Sequence, residues 1–178
     1  MLGLGRVALT ATDYDGDGAT DNDCEPLDPA VHPGATWSAW EPYATTKSWT
    51  LSSGDGTKVV YIQYRDGARN VSAKVRDAIK LDTAVPGGTV VINGGAASTT
   101  GSSVTLTLSA SDPAPASGVV KVRFRNENTR EWSSWQTYST SKSWTLSAGA
   151  GTKKVYVQYK DRAGNVSPTA GDSISYSP

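Results

Sequence analysis

The stretch WSSWQTYSTSKSWTLSAGAGTKKVYVQYKDRAGNVS, residues 132–167, decides the fold, because the chain contains it twice. Residues 37–72, WSAWEPYATTKSWTLSSGDGTKVVYIQYRDGARNVS, align with it without a gap at an offset of 95 positions, and 24 of the 36 residues are identical. A repeat of this length is too long for a solenoid, whose units have about 20–50 residues, and matches a small β domain. We therefore expect two copies of one domain, residues 1–83 and 84–178.

The second copy has the pattern of a β-sandwich. Residues 104–108 alternate apolar and polar side chains, as a strand with one buried face does. Turn-rich segments such as 112–118 and 161–165 separate short apolar stretches, and no segment predicts a helix. The predicted strands are residues 89–92, 104–108, 119–125, 143–146, 154–159 and 172–176. This pattern predicts an all-β fold built from antiparallel sandwiches.

The composition excludes several classes of protein. Serine and threonine make up 41 of the 178 residues, which favours strands and turns over helices. No apolar run approaches the roughly 18 residues of a membrane span, and neither heptads nor a collagen period is present. The 17 basic and 17 acidic residues give a net charge of zero, which argues against a nucleic-acid-binding protein.

The sequence predicts no catalytic site. Cys24 and His32 are the only cysteine and histidine, so neither an internal disulfide nor a zinc site dominated by these ligands can form. They lie eight residues apart in a proline-rich segment, and that spacing predicts no nucleophile–base pair. The sequence also lacks a phosphate-binding loop and a nucleophile elbow. We therefore predict that the protein is not an enzyme.

An acidic segment stands in the first copy where the second has its strand at 119–125. Residues 13–28 hold seven of the 17 acids and no base. Asp13, Asp15, Asp17 and Asp21 occupy positions 1, 3, 5 and 9 of a calcium-loop numbering, with a glycine at position 6. Calcium requires six to eight oxygen ligands, which alternate carboxylates on a turning loop supply. Position 12 is a cysteine, so the bidentate ligand must come from a neighbouring acid. The predicted Ca²⁺ ligands are Asp13, Asp15, Asp17, the Ala19 carbonyl, Asp21, Asp23 and Asp28, with Glu25 as an alternative bidentate ligand.

The first copy is therefore expected to be an incomplete sandwich that carries a calcium-type loop at residues 13–35. Residues 7–13, VALTATD, match residues 106–112, LTLSASD, and so predict the second strand of the sandwich. A first strand is missing or reduced to residues 1–5. The short apolar start contains Arg6 and is predicted to be a strand rather than a signal peptide.

The repeated motifs, Trp-Ser-x-Trp followed by Lys-x-Trp-Thr-Leu and the Gly-Thr-Lys strand that ends in Ala-x-Asn-Val-Ser, resemble the immunoglobulin-like repeats of bacterial and archaeal cell-surface proteins. Residues 81–86 resemble the linker that joins such repeats. The resemblance covers about 130 residues. It implies an extracellular or cell-surface, multi-domain, non-catalytic context and no particular ligand.

The acidic segment resembles two families of calcium repeats. One is the thrombospondin type 3-like Asp-x-Asp-x-Asp-Gly repeat, and the other is the metal-binding motif of secreted bacterial proteins. The second match is closer, because that motif continues through Asp-Cys to a Pro-Gly-Ala end, as residues 23–35 do here. The second half of the longer motif, with its partner cysteine, is absent.

The function predicted from the sequence is a structural or adhesive module of a larger surface or secreted protein, rigidified by calcium, with a cell-surface protein or polysaccharide as a further partner. The alternative is a carbohydrate-binding module that uses exposed tryptophans, and a third hypothesis is a truncated product without an independent role. Trp-Ser-x-Trp also occurs in cytokine receptors and thrombospondin type 1 modules, which need cysteines or arginine ladders that we expect this chain to lack. Solvent exposure of four rings separates the first two hypotheses: buried rings favour the structural module, and a coplanar exposed row favours sugar binding. The four are Trp37, Trp40, Trp132 and Trp135.

Overall fold

The computed structural model of the protein describes residues 4–10, by their backbone, and residues 37–178. The chain divides into two compact units, Met1–Leu81 and Asp82–Pro178. The acidic segment at 13–35 lies outside the described residues. None of the described residues forms a helix that is long and apolar enough to cross a membrane.

The described part of the first unit is one antiparallel sheet. Its strands are β1 (Leu4–Thr10), β2 (Glu41–Pro42), β3 (Gly56–Arg65) and β4 (Val75–Leu81). They lie side by side in the order β2-β1-β3-β4, and every neighbouring pair is antiparallel. Within the described residues no second sheet faces this one.

The second unit is a complete sandwich of two sheets. Its strands are β5 (Gly87–Ile92), β6 (Ser98–Thr99), β7 (Ser103–Ser111), β8 (Val119–Asn126), β9 (Gln136–Thr137), β10 (Ser141–Thr145), β11 (Gly151–Asp161) and β12 (Ala170–Tyr176). One sheet has the order β10-β7-β5 and the other the order β6-β12-β11-β8-β9. All pairs are antiparallel except the short β6–β12 pair, which is parallel. All six predicted strands are present, which confirms the predicted all-β, antiparallel sandwich.

The core of the second unit follows from the alternation in its strands. Alternate residues of β7 and β11 point inward and are buried, among them Leu106 and Val157, which are fully inaccessible. Phe124 of β8 and Ile174 of β12 complete the core between the two sheets. Burial of each large aliphatic or aromatic side chain contributes about 1.5–3 kcal/mol, so these strands stabilise a sandwich that needs no disulfide.

Strand β1 occupies a different place from the predicted one. Arg6 lies opposite Gln63 on β3, as Arg123 lies opposite Gln158 on β11, and β2 pairs with β1 as β9 pairs with β8. Residues 4–10 therefore stand where the second unit has β8. The expected equivalence of residues 7–13 with β7 is wrong, and so is the expectation that the acidic segment takes the place of the strand at 119–125. Alternation of apolar residues suits either strand, so the sequence pattern does not distinguish a β7 position from a β8 position.

Although β1 stands in the place of β8, it does not supply the hydrogen-bond partners that β8 and the residue after it supply in the second unit. In the second unit, Trp144 Nε1 donates to Asn126 Oδ1 at 2.8 Å, and the Ser147 hydroxyl donates to Glu127 at the end of β8. The equivalent groups, Trp49 Nε1 and the hydroxyl oxygen of Ser52, are buried without a hydrogen-bond partner among the described residues. Unpaired buried donors destabilise a fold by about 1–3 kcal/mol each, so the first unit is expected to be the less stable one.

Candidate functional site

The predicted calcium ligands Asp13, Asp15, Asp17, Ala19, Asp21, Asp23 and Asp28 all lie outside the described residues, as do Cys24 and His32. The calcium loop therefore stays a prediction. Two other features of the second unit gather chemically active side chains, namely a cluster of three aspartates and a stack of aromatic and cationic side chains on the outer face of the larger sheet.

The aspartate cluster brings together residues that are far apart in sequence. Asp82 begins the second unit, Asp112 follows β7, and Asp161 ends β11. One carboxylate oxygen of each lies within 4.8 Å of the others. Asp82 and Asp161 are 5% and 1% exposed. Sequence analysis missed this cluster, because 161–165 was interpreted only as a turn and nothing in the spacing links it to the other two residues.

Hydrogen bonds hold the cluster in place. Asp161 accepts the backbone N–H groups of Gly164 and Asn165 at 2.7 and 2.8 Å, and the Asn165 side chain donates to its second oxygen. Asp82 accepts the N–H of Ser117 at 2.7 Å, and its carbonyl oxygen accepts from Asn165. The cluster therefore fastens the start of the unit to two loops of the sandwich.

Carboxylate oxygens at this separation have the chemistry that a hard divalent cation prefers. Asp112 Oδ2 accepts the N–H of Gly118, whereas its Oδ1 is buried without a partner among the described residues. Most of the other oxygens already accept backbone N–H groups, which gives the cluster a structural role independent of any ion.

The outer face of β8 and β11 carries a ladder in which cations alternate with aromatic rings. Arg123 lies over Trp132 and Trp135, with 4.9 and 4.5 Å between the guanidinium carbon and the ring centroids. Arg125 lies over Trp132 at 5.2 Å and over Tyr156 at 4.2 Å. Lysines close both ends. In order, the ladder consists of Lys154, Tyr156, Arg125, Trp132, Arg123, Trp135 and Lys160.

Strand alternation explains this ladder. Phe124 of β8 points into the core, so Arg123 and Arg125 point to the opposite face, where they meet the tryptophans of the segment before β9. Gln158 of β11 fixes Arg123 by accepting from its Nε and Nη2 at 3.0 and 2.6 Å. Gly171 leaves room for Tyr156, because a Cβ there would lie 3.1 Å from the ring.

The expectation that this chain lacks an arginine ladder is wrong. The signal was the alternation Lys-x-Arg-x-Arg at residues 121–125, next to the Trp-Ser-x-Trp motif. Trp132 and Trp135 are half-buried, and two cations lie within 5.2 Å of the centroid of each ring. Trp40 is also half-buried, with Arg65 at 4.5 Å. The rings thus form neither a closed core nor a row of exposed stacking platforms.

The third tryptophan pair faces inward. Trp144 packs against Phe124 with 5.4 Å between the ring centroids. Nearby, the hydroxyl of Tyr159 donates to the carbonyl of Thr89 on β5. Burial, together with the neighbouring Tyr138, raises the pKa of Tyr159 well above its ordinary value, so this hydroxyl stays protonated and keeps its role as a donor.

Comparisons with known proteins find distant structural similarities and no sequence relative. No family model matches it, and no curated protein matches it. It is similar to the PKD1 domain of Vibrio anguillarum Epp, at 17% identity and a TM-score of 0.37 over 52% of this chain and 96% of that chain. It is also similar to fibronectin(III)-like modules of Clostridium thermocellum CbhA, at 14% identity and a TM-score of 0.45 over 96% of this chain and 76% of that chain. Neither likeness carries a functional argument.

Proposed function

We propose that the chain is a non-catalytic, extracellular structural or adhesive module of a larger surface or secreted protein. The observation that carries this proposal is the ladder on the outer face of β8 and β11, in which aromatic and cationic side chains bind one another. The sequence resemblance to cell-surface immunoglobulin-like repeats supports the extracellular setting. A partner on a cell surface, protein or polysaccharide, belongs to the adhesive form of the proposal.

The ladder of cations and aromatic rings stabilises the surface of the second unit. Each cation–aromatic contact contributes about 0.5–1 kcal/mol when it is partly exposed. Six such contacts connect β8, β11 and the segment before β9. Together they hold the connection between β8 and β9 against the sheet. This surface of the second unit is therefore rigid, whereas a binding loop is usually flexible.

The carbohydrate-binding alternative needs free ring faces. In the second unit each of Trp132 and Trp135 has two cations within 5.2 Å of its ring centroid, so a sugar that stacks on a ring face covered by a cation would first have to displace that cation. That displacement removes favourable contacts before any stacking on the sugar begins. The geometry therefore favours the structural module over a tryptophan platform for polysaccharide.

Calcium at residues 13–28 is the second part of the proposal. The ligands would be Asp13, Asp15, Asp17, the Ala19 carbonyl, Asp21, Asp23 and Asp28. This donor set consists of hard oxygens alone, which fits calcium. Bound calcium would neutralise the mutual repulsion of the carboxylates and order the incomplete first unit.

Isothermal titration of the whole chain tests the calcium proposal. We expect one calcium ion to bind, with a dissociation constant up to the millimolar range of extracellular modules. The double variant Asp15→Asn, Asp17→Asn should abolish binding, because it removes two of the charged ligands. Asp112→Asn is the matched control, since it removes a charge from the aspartate cluster of the second unit and should leave binding unchanged. Binding that survives the first variant, or disappears in the second, would contradict the proposed site.

A further inference from the structure

Part of the inner face of β3 and β4 is exposed, although the same positions of the second unit form its core. Val75 and Ile79 of β4 are 54% and 57% exposed, and Tyr64 of β3 is 38% exposed. At the offset of 95, Ile79 corresponds to Ile174 and Tyr64 to Tyr159, which are 2% and 0% exposed. The difference arises because β5 and β7 cover this face in the second unit, whereas none of the described residues of the first unit form counterparts of these two strands.

A groove marks the uncovered face. Its volume is about 260 Å³, and Trp49, Val60, Ile62, Val75 and Asp77 line much of it. In the second unit the corresponding space is filled by inward side chains of β5 and β7. The first unit thus keeps one half of a hydrophobic core.

Asp77 also keeps the polar contact that such a strand would use. In the second unit, Asp172 Oδ1 accepts the N–H of Ser173, and Oδ2 accepts the backbone N–H of Ile92 on β5, both at 2.8 Å. Asp77 corresponds to Asp172 and makes the same local bond, with its Oδ1 accepting the N–H of Ala78 at 2.8 Å. The second oxygen of Asp77 is therefore placed to accept an N–H from an incoming strand.

A pair of tyrosines is also arranged in the same way in the two units. Tyr159 donates its hydroxyl proton to the carbonyl of Thr89 on β5, and its ring meets Tyr138 edge to face with 5.8 Å between the centroids. Tyr64 and Tyr43 form the equivalent edge-to-face pair at 5.9 Å. The first unit has retained the arrangement of rings that binds β5, together with the aspartate that binds it.

We propose that the inner face of β3 and β4 is a docking site for two antiparallel strands of the β5–β7 type, supplied by a partner polypeptide. The strand next to Tyr64 would carry glycine opposite the ring and then alternate apolar residues. Its backbone would donate to Asp77 and accept from Tyr64, so the strand completes the sandwich by face packing. A second copy of the chain is a poorer occupant, because its own β5 and β7 are already buried in its second unit.

A peptide of residues 86–112 is the direct probe, because it contains β5 and β7. It is added at up to millimolar concentration to the whole isotope-labelled chain, and binding is followed by amide NMR shifts. We expect shifts of β3 and β4 residues, including Ile62, Val75 and Ile79. The control peptide carries Gly88→Val, since a Cβ at Gly88 would lie 2.4 Å from the ring of Tyr159 in the second unit, and the equivalent ring is Tyr64. It should bind roughly tenfold more weakly or worse.

Two chain variants separate docking from unfolding. Ile79→Lys changes an exposed residue of the face and should fold normally while losing the peptide shifts. Val85→Lys changes a residue of comparable exposure that belongs to the second unit, and this variant should bind as the parent does. Shifts confined to the second unit, equal binding of both peptides, or no shifts at millimolar peptide would overturn the proposal. Concentration-dependent self-association that protects the Ile79 amide would also overturn it, because the occupant would then be a second copy.

Discussion

Phe124→Ala should lower the free energy of unfolding of the second unit by about 4 kcal/mol. The ring is fully inaccessible and packs against Trp144 in the core. Truncation removes its hydrophobic contribution and leaves a cavity that two well-packed sheets cannot close. Denaturant unfolding followed by tryptophan fluorescence measures this loss, and a loss below about 1 kcal/mol would mean that the two sheets do not share the core described here.

The repeat supplies a matched pair for the same test. Ile174→Ala should lower the free energy of unfolding of the second unit by about 3 kcal/mol. Ile79→Ala, the same change at the equivalent position, should lower that of the first unit by less than about 1 kcal/mol. The reason is the difference in exposure, 2% against 57%. Equal losses at the two positions would contradict the finding that the face around Ile79 is uncovered.

Gly88→Ala should destabilise the second unit by about 3 kcal/mol, as overpacking of a rigid core does. A Cβ at this position would lie 2.4 Å from a ring carbon of Tyr159 and 2.6 Å from the carbonyl oxygen of Ser109. Neither neighbour can move easily, since Tyr159 is buried and hydrogen-bonded to β5 and Ser109 contributes backbone.

The adjacent glycine is the control for this steric effect. A Cβ at Gly87 would meet nothing within 4 Å, so Gly87→Ala should change stability by less than about 0.5 kcal/mol. Thermal melts of the two variants, recorded side by side, give the comparison. Similar melting temperatures would show that β5 does not approach Tyr159 as closely as described.

Much of the second unit could be predicted because its residues carry local signals. Alternation in residues 104–108 and 154–159 fixed which side chains face inward, and glycine-rich turns marked where strands end. The place of β1 could not be predicted in this way. Strand pairing is non-local, and an alternating strand of seven residues fits into either of the two sheets of a sandwich.

The two clusters of the second unit illustrate the same limit. The aspartate cluster joins positions 82, 112 and 161, which come together only when two loops and the start of the unit meet. The ladder depends on the register between β8 and β11, which places Arg123 beside Gln158. The sequence shows which residue types alternate along one strand. It does not show which residues of other strands or loops they contact.

A calorimetric melt of the whole chain, recorded with a few millimolar calcium and again with a chelator, tests the proposal that calcium rigidifies the first unit. We expect two unfolding transitions. Calcium should raise the melting temperature of the transition assigned to the first unit and leave that of the second unit unchanged. A hundredfold excess over the dissociation constant would stabilise the first unit by about 2.7 kcal/mol. Asp15→Asn with Asp17→Asn should remove the response. Identical melts with calcium and with chelator would contradict the proposal that calcium rigidifies this module.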